Sequence, residues 1–492
     1  MRKIMDPQMK IGEIGIPSIK FNIHSRDEIP KLLRGLQSIY DDRVVREEVF
    51  DVLKDLVPSN VDPNKGRNGM DLWKILVLGT LRLECDWDFD KLLEMANEHN
   101  SIRLMLLHSR DDDYRYALQT LKDNITLFTP EVLDKINVIV VKHGHKIIGK
   151  KPEEELFGSC DSFPVETDVH FPTDINLLWD GMRKVVTIIV ILCQDLGLEG
   201  WRKGMYNLRK IKKLFRKAQN LKRSTAKNPE KQAERERLII NAHIAYLEFA
   251  LSLIEFSKES LMEIPADDIH AYLKALEIQR YIDHAERQID QIRRRVVEGE
   301  SIPHKEKVFS LFEEHTEWIV KGKAGVLVEL GLNVCIVKDQ YGFILFHHVM
   351  EHETDDQVAV PIIQEVKNRF DDFTGCSFDK GFHSTYNQEQ LGSILDTVVL
   401  PRKGKLSAIN KEAENSEEFR NARRKHSAVE SSINALENGG LDRCPDHGLD
   451  GFKRYVGLAV LARNLHTIGN FLQKKEVERE KRRRGQRKRL AA

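Results

Sequence analysis

Between Cys160 and Asp180 the chain alternates with a period that few local structures accommodate. Phe163, Val165, Thr167, Val169 and Phe171 fall on one side, and Glu166, Asp168 and His170 on the other. A period of two in β-branched and aromatic residues is the pattern of a half-buried strand. Pro172 closes that strand, and Asp174 is placed to cap a helix beginning at Ile175. Asp161, Glu166, Asp168, Asp174 and Asp180 all lie in this stretch. A strand holds a carboxylate rigidly where a sheet excludes water, which suits a metal ligand. A polar strand edge followed by an ordinary helix cap would account for the same residues.

The length of 492 residues allows roughly two to four domains. Apolar residues make up 41%, enough for real cores. Lys+Arg and Asp+Glu both number 77, so net charge says nothing about partners and only local charge can. The cysteines at 85, 160, 193, 335, 376 and 444 form no CxxC pair. That spacing fits reduced thiols better than a disulfide framework or a zinc site. The apolar run Val185 to Cys193 is too short to cross a bilayer, and Met1-Arg2-Lys3 leads into mixed polar sequence rather than a signal core. The expectation is a soluble cytoplasmic chain without a membrane partner.

Residues 1–150 read as helical, with amphipathic segments from Ile29 to Leu56, Leu72 to Leu83, on through Leu107, and Pro130 to Ile148; Ser59 to Gly69 reads as a loop. Asp111-Asp112-Asp113 reads as a solvated turn. From Trp201 to Ser224 ten Lys/Arg occur without an acid, while Leu208, Ile211, Leu214 and Phe215 keep helical spacing. Such segregation in a neutral chain suggests a polyanion, with Arg209, Lys210, Lys213 and Lys217 as phosphate contacts; a solvated helix face is the alternative. Pro229 to Val297 reads as a helical hairpin ending in Arg293-Arg294-Arg295. Beyond Val308 strands and helices alternate, with Gly322-Lys323-Ala324-Gly325 preceding strand Leu332–Val337, strand Phe343–Phe346, helix Asp355–Phe370, strand Thr374–Asp379, helix Tyr386–Leu395 and strand Thr397–Leu400. That implies an α/β layer fold. Arg420 to Glu437 reads as one helix with Arg423, His426 and Glu430 on a shared face. Val456 to Leu472 reads as a long apolar helix, and Lys481 to Arg489 as a disordered basic tail.

Asp161 on a strand, Asp379 at the end of another and Glu430 on a late helix could meet at one point. Two Mg²⁺ ions about 3.5–4 Å apart need such oxygen ligands for phosphoryl transfer. The phrase from Asp161-Ser162-Phe163-Pro164 through Pro172-Thr173-Asp174 to Leu177-Leu178-Trp179-Asp180 resembles the first-aspartate motif of bacterial insertion-sequence DDE transposases. Asp379-Lys380-Gly381-Phe382 resembles the second-aspartate motif, and Arg424 to Glu430 the helix that carries the glutamate. Gly457 to Leu465 is similar to the apolar C-terminal helix of the same proteins. The resemblance covers roughly residues 70–475 and is close to the ISNCY-type subgroup.

The resemblance implies an α/β fold with a ribonuclease H-like catalytic core, a mixed sheet flanked by helices. An all-α N-terminal domain at 1–150, core segments at 151–200 and 319–475, a basic helical insertion at 201–318 and a tail at 476–492 complete it. It implies Asp161, Asp379 and Glu430 as catalytic ligands of two Mg²⁺ (or Mn²⁺) ions, and double-stranded DNA as partner, bound by a homodimer on paired ends. The activity implied is cleavage at element ends and transfer of the 3′-hydroxyl into target DNA. A metal-dependent nuclease without strand transfer and a non-catalytic DNA-binding derivative are the other readings. Strict alternation sets Asp161 beside Phe163, so Asp168 is kept as a supporting residue near the site. His170 reads as a strand-face histidine. His426 could touch a phosphate or Glu430, or be solvated, and Trp318 could stack on a flipped base or lie in a core.

Overall fold

The computed structural model describes residues 2–5, 12–57, 69–109, 111–222, 229–265, 267–320, 327–405 and 407–490. Most of the expected Ser59–Gly69 loop, the Gly322–Gly325 segment, and Arg223 and Ser224 of the basic run lie outside them. In chain order the helices α1 (Glu28–Asp41), α2 (Arg43–Lys54), α3 (Leu72–Glu84), α4 (Phe89–Glu98), α5 (Asn100–Met105), α6 (Leu118–Ile125) and α7 (Pro130–Ile148) come first. Strand β1 (Leu156–Thr167) precedes α8 (Asp174–Asp195), α9 (Gly204–Lys222), α10 (Pro229–Met262) and α11 (Ile269–Ile292). Then follow β2 (Glu317–Val320), β3 (Val328–Asp339), β4 (Ile344–Val349), α12 (Asp355–Arg369), β5 (Phe373–Phe378), α13 (Thr385–Ile394) and β6 (Thr397–Val399). The chain closes with α14 (Ala408–Asn415), α15 (Glu417–His426), α16 (Ala428–Leu436), β7 (Arg443–Cys444) and α17 (Gly448–Leu490).

Contacts divide the chain into two units. One joins Met1–Asp168 to Glu317–Ala492, and the other is Val169–Thr316. The N-terminal helices are therefore not a domain apart. α17 is the reason: Val456, Leu458, Leu461 and Leu465 are buried in one continuous core with Leu36, Leu76, Ile136 and the strand residues. Local signals set the helix ends. On α7, Thr129 Oγ1 accepts from Val132 N, Pro130 opens the first turn, and Gly149 takes the left-handed conformation (φ 83°) that stops it. The basic tail is a correction, since α17 continues to Leu490 instead of fraying at Lys481. Beyond Leu472 its acids pair with the N-terminal segment, Glu476 with Arg34 and Glu480 with His24 (3.1 Å), which anchors the extension.

The sheet of this unit is mixed and lies among helices, in the order β2-β3-β1-β5-β6, with β4 on β3 and β7 on β1. β1 runs antiparallel to β3 without a register break from Gly158 to Glu166, and parallel to β5 and β7. Ser159, Asp161, Phe163 and Val165 therefore share one face and Cys160 and Ser162 the other. Burial passes from Leu156, Gly158 and Cys160 on the second face to Phe163, Val165 and Thr167 on the first, because both faces are covered at different heights. β1 begins and ends earlier than the Phe163–Phe171 alternation suggests, since Asp442 and β7 supply its last partners at Glu166 and Thr167.

The second unit is helical. α8, α9, α10 and α11 bury Leu178, Val185, Ile189, Phe215, Tyr246, Leu253, Ile278 and Ile282 together. The expected boundary at residue 201 falls instead at Val169, because α8 packs on α11 and α9. α10 contains an 18-residue window of mean hydropathy 1.4, of which 39% is buried. By length and composition it could cross a membrane; here its apolar side supplies the core of the helical unit.

Candidate functional site

β1 is left without a neighbour along part of one edge. β5 pairs with it up to Cys160 and β7 from Glu166, so residues 161–165 have no strand partner on that side among the described residues. Leu156 N and Glu166 N both point to that edge, toward Asp372 O and Asp442 O, so even-numbered amides face it. Pro164 sits at such a position, where its missing N–H costs no ladder bond. Ser162 N, facing the same gap, donates to its neighbour Asp161 Oδ1 at 2.8 Å. The gap thus collects Asp161 without a competing strand.

The parallel register places the second aspartate beside the first. Ser159 is opposite Ser377 and Cys160 opposite Phe378, which makes Asp161 and Asp379 the next pair along. The hydroxyls of Ser159 and Ser377 are 3.0 Å apart on the same face. Above that face lie α15 and α16. His426 Nδ1 is hydrogen-bonded to Ser377 Oγ at 3.0 Å, and Lys338 Nζ donates to Ala428 O at 2.7 Å, which fixes the start of α16 over the sheet. Glu430 falls in the first turn of α16. The expected single helix from Arg420 to Glu437 is two helices hinged at Ser427, so Arg423, His426 and Glu430 do not share one helical face. Arg423 is exposed, while His426 turns inward with Nε2 buried and without a hydrogen-bond partner.

A fourth acid arrives from the opposite face of the sheet. Asp355 is the first residue of α12, whose start is fixed by a capping box of Thr354 and Gln357. Ser162 Oγ donates to Asp355 Oδ1 at 2.6 Å. Gly381 explains its own identity here, because a Cβ on it would stand 2.4 Å from Asp355 Oδ2. Sequence reasoning passed over Asp355; Thr354-Asp355-Asp356-Gln357 reads only as a helix start.

Burial and neighbouring charge act on these groups together. Burial pushes the Asp161 carboxyl up to about 7, and the charges of Asp379, Asp355 and Glu430 push the same way, against the amide of Ser162. Burial likewise raises Asp355, aided by Asp379 and opposed by the Ser162 hydroxyl and by Lys403. Lys403 itself donates to Gly381 O at 2.6 Å. Burial lowers His426, while Asp379 and Glu430 act to raise it. Asp379 and Glu430 are exposed, and Asp161 and Asp355 half-buried. Four carboxylates thus lie near one another, with Lys403 as the cation bearing on Asp355, but no three of them bring ligand oxygens that all lie within 4.8 Å of one another.

Among the described residues, the trio of potential ligands whose atoms all lie within 4.8 Å of one another is elsewhere: Glu28, Glu84 and His466. His466 Nε2 is 2.5 Å from Glu28 Oε2, Lys31 lies 2.9 Å from Glu28, and Arg463 3.3 Å from Glu84. Lys31 and Arg463 supply positive charge to the two acids, and the contacts tie α1, α3 and α17 together.

The remaining expected residues fall outside the carboxylate group. Asp168 follows β1, is exposed, and lies 3.6 Å from Arg443. His170 is in the loop after β1, not on a strand face, and pairs with Asp180 at 2.5 Å. Trp318 is on β2 and half-buried. Asp112 of the acid cluster is paired with His108 at 2.6 Å. Of the arginine triplet, Arg294 engages Asp290, Glu300 and Glu306, and Arg295 engages Asp174. On α9, Arg209, Lys210, Lys213 and Lys217 are exposed, as are Lys212 and Arg216, with Ile211, Phe215 and Ala218 on the buried side. Among the described residues none of these six cations is in an ion pair; Lys210 lies over the Phe249 ring and Lys212 over Trp179.

The fold and site define a mixed α/β protein with a carboxylate-lined gap in its sheet and a separate helical unit with a basic face. No protein-family model matches this chain, and no curated protein or solved structure matches it either.

Proposed function

We propose that this chain is a DDE-type DNA transposase with a ribonuclease H-like core, acting by two-metal-ion cleavage and strand transfer. The observation that carries the reading is that Asp161 and Asp379 each directly follow the last β1–β5 pair, Cys160 with Phe378, with Glu430 and Asp355 near enough to bear on the Asp161 carboxyl. Asp161, Asp379 and Glu430 would hold two Mg²⁺ or Mn²⁺ ions. When bound, such ions supply an activated water or 3′-hydroxyl and neutralise the leaving oxygen. The chain's own part is positioning. β1 and β5 fix the two aspartates on adjacent rails, and Ser162 keeps Asp355 facing them. Ser377 holds the His426 ring by Nδ1, beside the carboxylates and with Nε2 turned inward. The exposed cations of α9 neutralise DNA phosphates without reading sequence.

The test is Mg²⁺-dependent cleavage and joining of an oligonucleotide carrying the DNA that flanks the gene. Asp379→Ala is expected to lose both steps while keeping DNA binding. Cleavage without joining would support a nuclease instead, and binding without either step a non-catalytic derivative.

A further inference from the structure

α17 runs on past the core it shares with the N-terminal helices, and a cleft of about 760 Å³ opens between this extension, α1 and α7. Small-molecule sites typically enclose about 300–1,000 Å³. The buried His143 lines its floor, with Nε2 hydrogen-bonded to Ser38 Oγ at 2.8 Å. Ile23, Ile147 and Leu472 supply an apolar part of the wall. Most of the charge in the wall is engaged within the chain. Glu476 pairs with Arg34, Asp42 with Lys146 at 2.8 Å, and Glu480 with His24 at 3.1 Å. Three lining cations are left over: among the described residues Lys475, Arg479 and Arg483 are in no ion pair, and all three are exposed. The acid left to oppose them is Asp41, on which Arg46 already bears.

Lys475, Arg479 and Arg483 stand at i, i+4 and i+8 on α17, which sets them in one row at steps of about 6 Å. Like charges one turn apart repel, so the row favours an anionic occupant. We propose that the cleft binds a small anion carrying two or more phosphoryl groups, a nucleoside triphosphate or an inorganic polyphosphate. Guanidinium groups take phosphate oxygens in pairs, and covering three cations in a row calls for more than one phosphoryl group. The hollow decides for a small ligand over a duplex. DNA laid along α17 would meet the exposed Arg479 and Arg483 and leave the floor at Ser38 and His143 unfilled. This inference does not depend on the carboxylate chemistry, and its failure would leave that reading intact.

Calorimetric titration of the full chain with ATP and with inorganic tripolyphosphate tests it, in EDTA so that no divalent ion bridges either ligand to the carboxylates. Saturable one-to-one binding is expected, and the tighter of the two ligands names the source. ATP as the tighter would seat its nucleoside against Ile23, Ile147 and Leu472. Arg479→Ala with Arg483→Ala is expected to weaken binding at least tenfold, with an unchanged circular-dichroism signal. Lys213→Ala with Lys217→Ala, on the exposed face of α9, is expected to bind as the parent chain does. No heat from either ligand at millimolar concentration, full affinity in the α17 double variant, or equal weakening in the α9 variant would each overturn the proposal. So would a duplex oligonucleotide that binds more tightly than either ligand through the same two arginines, since the row would then belong to nucleic acid.

Discussion

Ser162 donates its hydroxyl to Asp355 across 2.6 Å and so links the middle of β1 to the first residue of α12. One strand residue thereby serves two acids, because the Ser162 amide donates to Asp161 while its side chain donates to Asp355. Ser162 thus hydrogen-bonds two of the four carboxylates, while Lys403 bears on Asp355 by charge.

Ser162→Ala removes the side-chain bond and keeps the amide. A hydrogen bond to a charged group is worth about 1.5–3 kcal/mol, and the half-exposed setting of Asp355 puts the stability loss at the low end. Activity is expected to fall more than stability, by tenfold or more, since Asp355 is freed to swing. Thermal melting read beside Mg²⁺-dependent DNA cleavage checks the split.

Gly381→Ala sets a methyl 2.4 Å from Asp355 Oδ2. Overpacking of this kind typically costs about 1–3 kcal/mol. Asp355→Ala removes the obstructing oxygen, so the double variant is expected to be more stable than the sum of the single losses. A double-mutant cycle from denaturant melts reads the coupling directly; additive losses would place the clash elsewhere.

The pH dependence follows from Asp161. Its folded value of about 7 lies above the ordinary aspartate value of about 3.9. Between these values the folded chain keeps a proton that the unfolded chain has lost. Stability of the metal-free chain therefore falls as pH rises from about 4 toward 7, by at most about 1.4 kcal/mol per pH unit, and levels off above. A divalent ion competes with that proton, so Mg²⁺-induced stabilisation is expected to be larger at pH 8 than at pH 6. Asp161→Asn is expected to flatten the metal-free profile and to abolish the Mg²⁺ response, both read by differential scanning calorimetry.

The α9 cations give a salt signature. Arg209→Ala, Lys213→Ala and Lys217→Ala together are expected to leave melting unchanged, because all three side chains are exposed. They are expected to lower the dependence of DNA affinity on salt by about 0.9 log units per contact removed, measured by fluorescence anisotropy across a salt series. An unchanged slope would assign the basic face to solvent.

Much of this architecture was legible from periodicity. The α10–α11 hairpin, α7, α12 and β3–β6 announce themselves through apolar spacing and turn residues; the helices bury one face each, and β3 and β5 carry the unbroken apolar runs of strands covered on both faces. β1 was displaced in the reading because both of its faces are covered at different heights, so its alternation continues past the last true pair at Thr167. The break at Ser427 has no proline or glycine to mark it. Charge alone makes the tail read as disordered, whereas Arg34 and His24, more than four hundred residues away in sequence, pair with its acids. Asp355 escaped because a helix-capping segment looks the same whether or not it faces a site. Its role depends on Ser162 and Gly381, which no spacing rule connects. Motif likeness points to Asp161, Asp379 and Glu430, and the register of β1 with β5 ends at Cys160 and Phe378, one residue before each aspartate.

Crystals of the full chain grown with Mn²⁺ and duplex DNA, recorded at the manganese absorption edge, address the central claim most directly. Anomalous peaks among Asp161, Asp379 and Glu430, lost in Asp161→Asn crystals, are the expected result. Peaks confined to Glu28, Glu84 and His466, or none beside β1 with DNA bound, would contradict it.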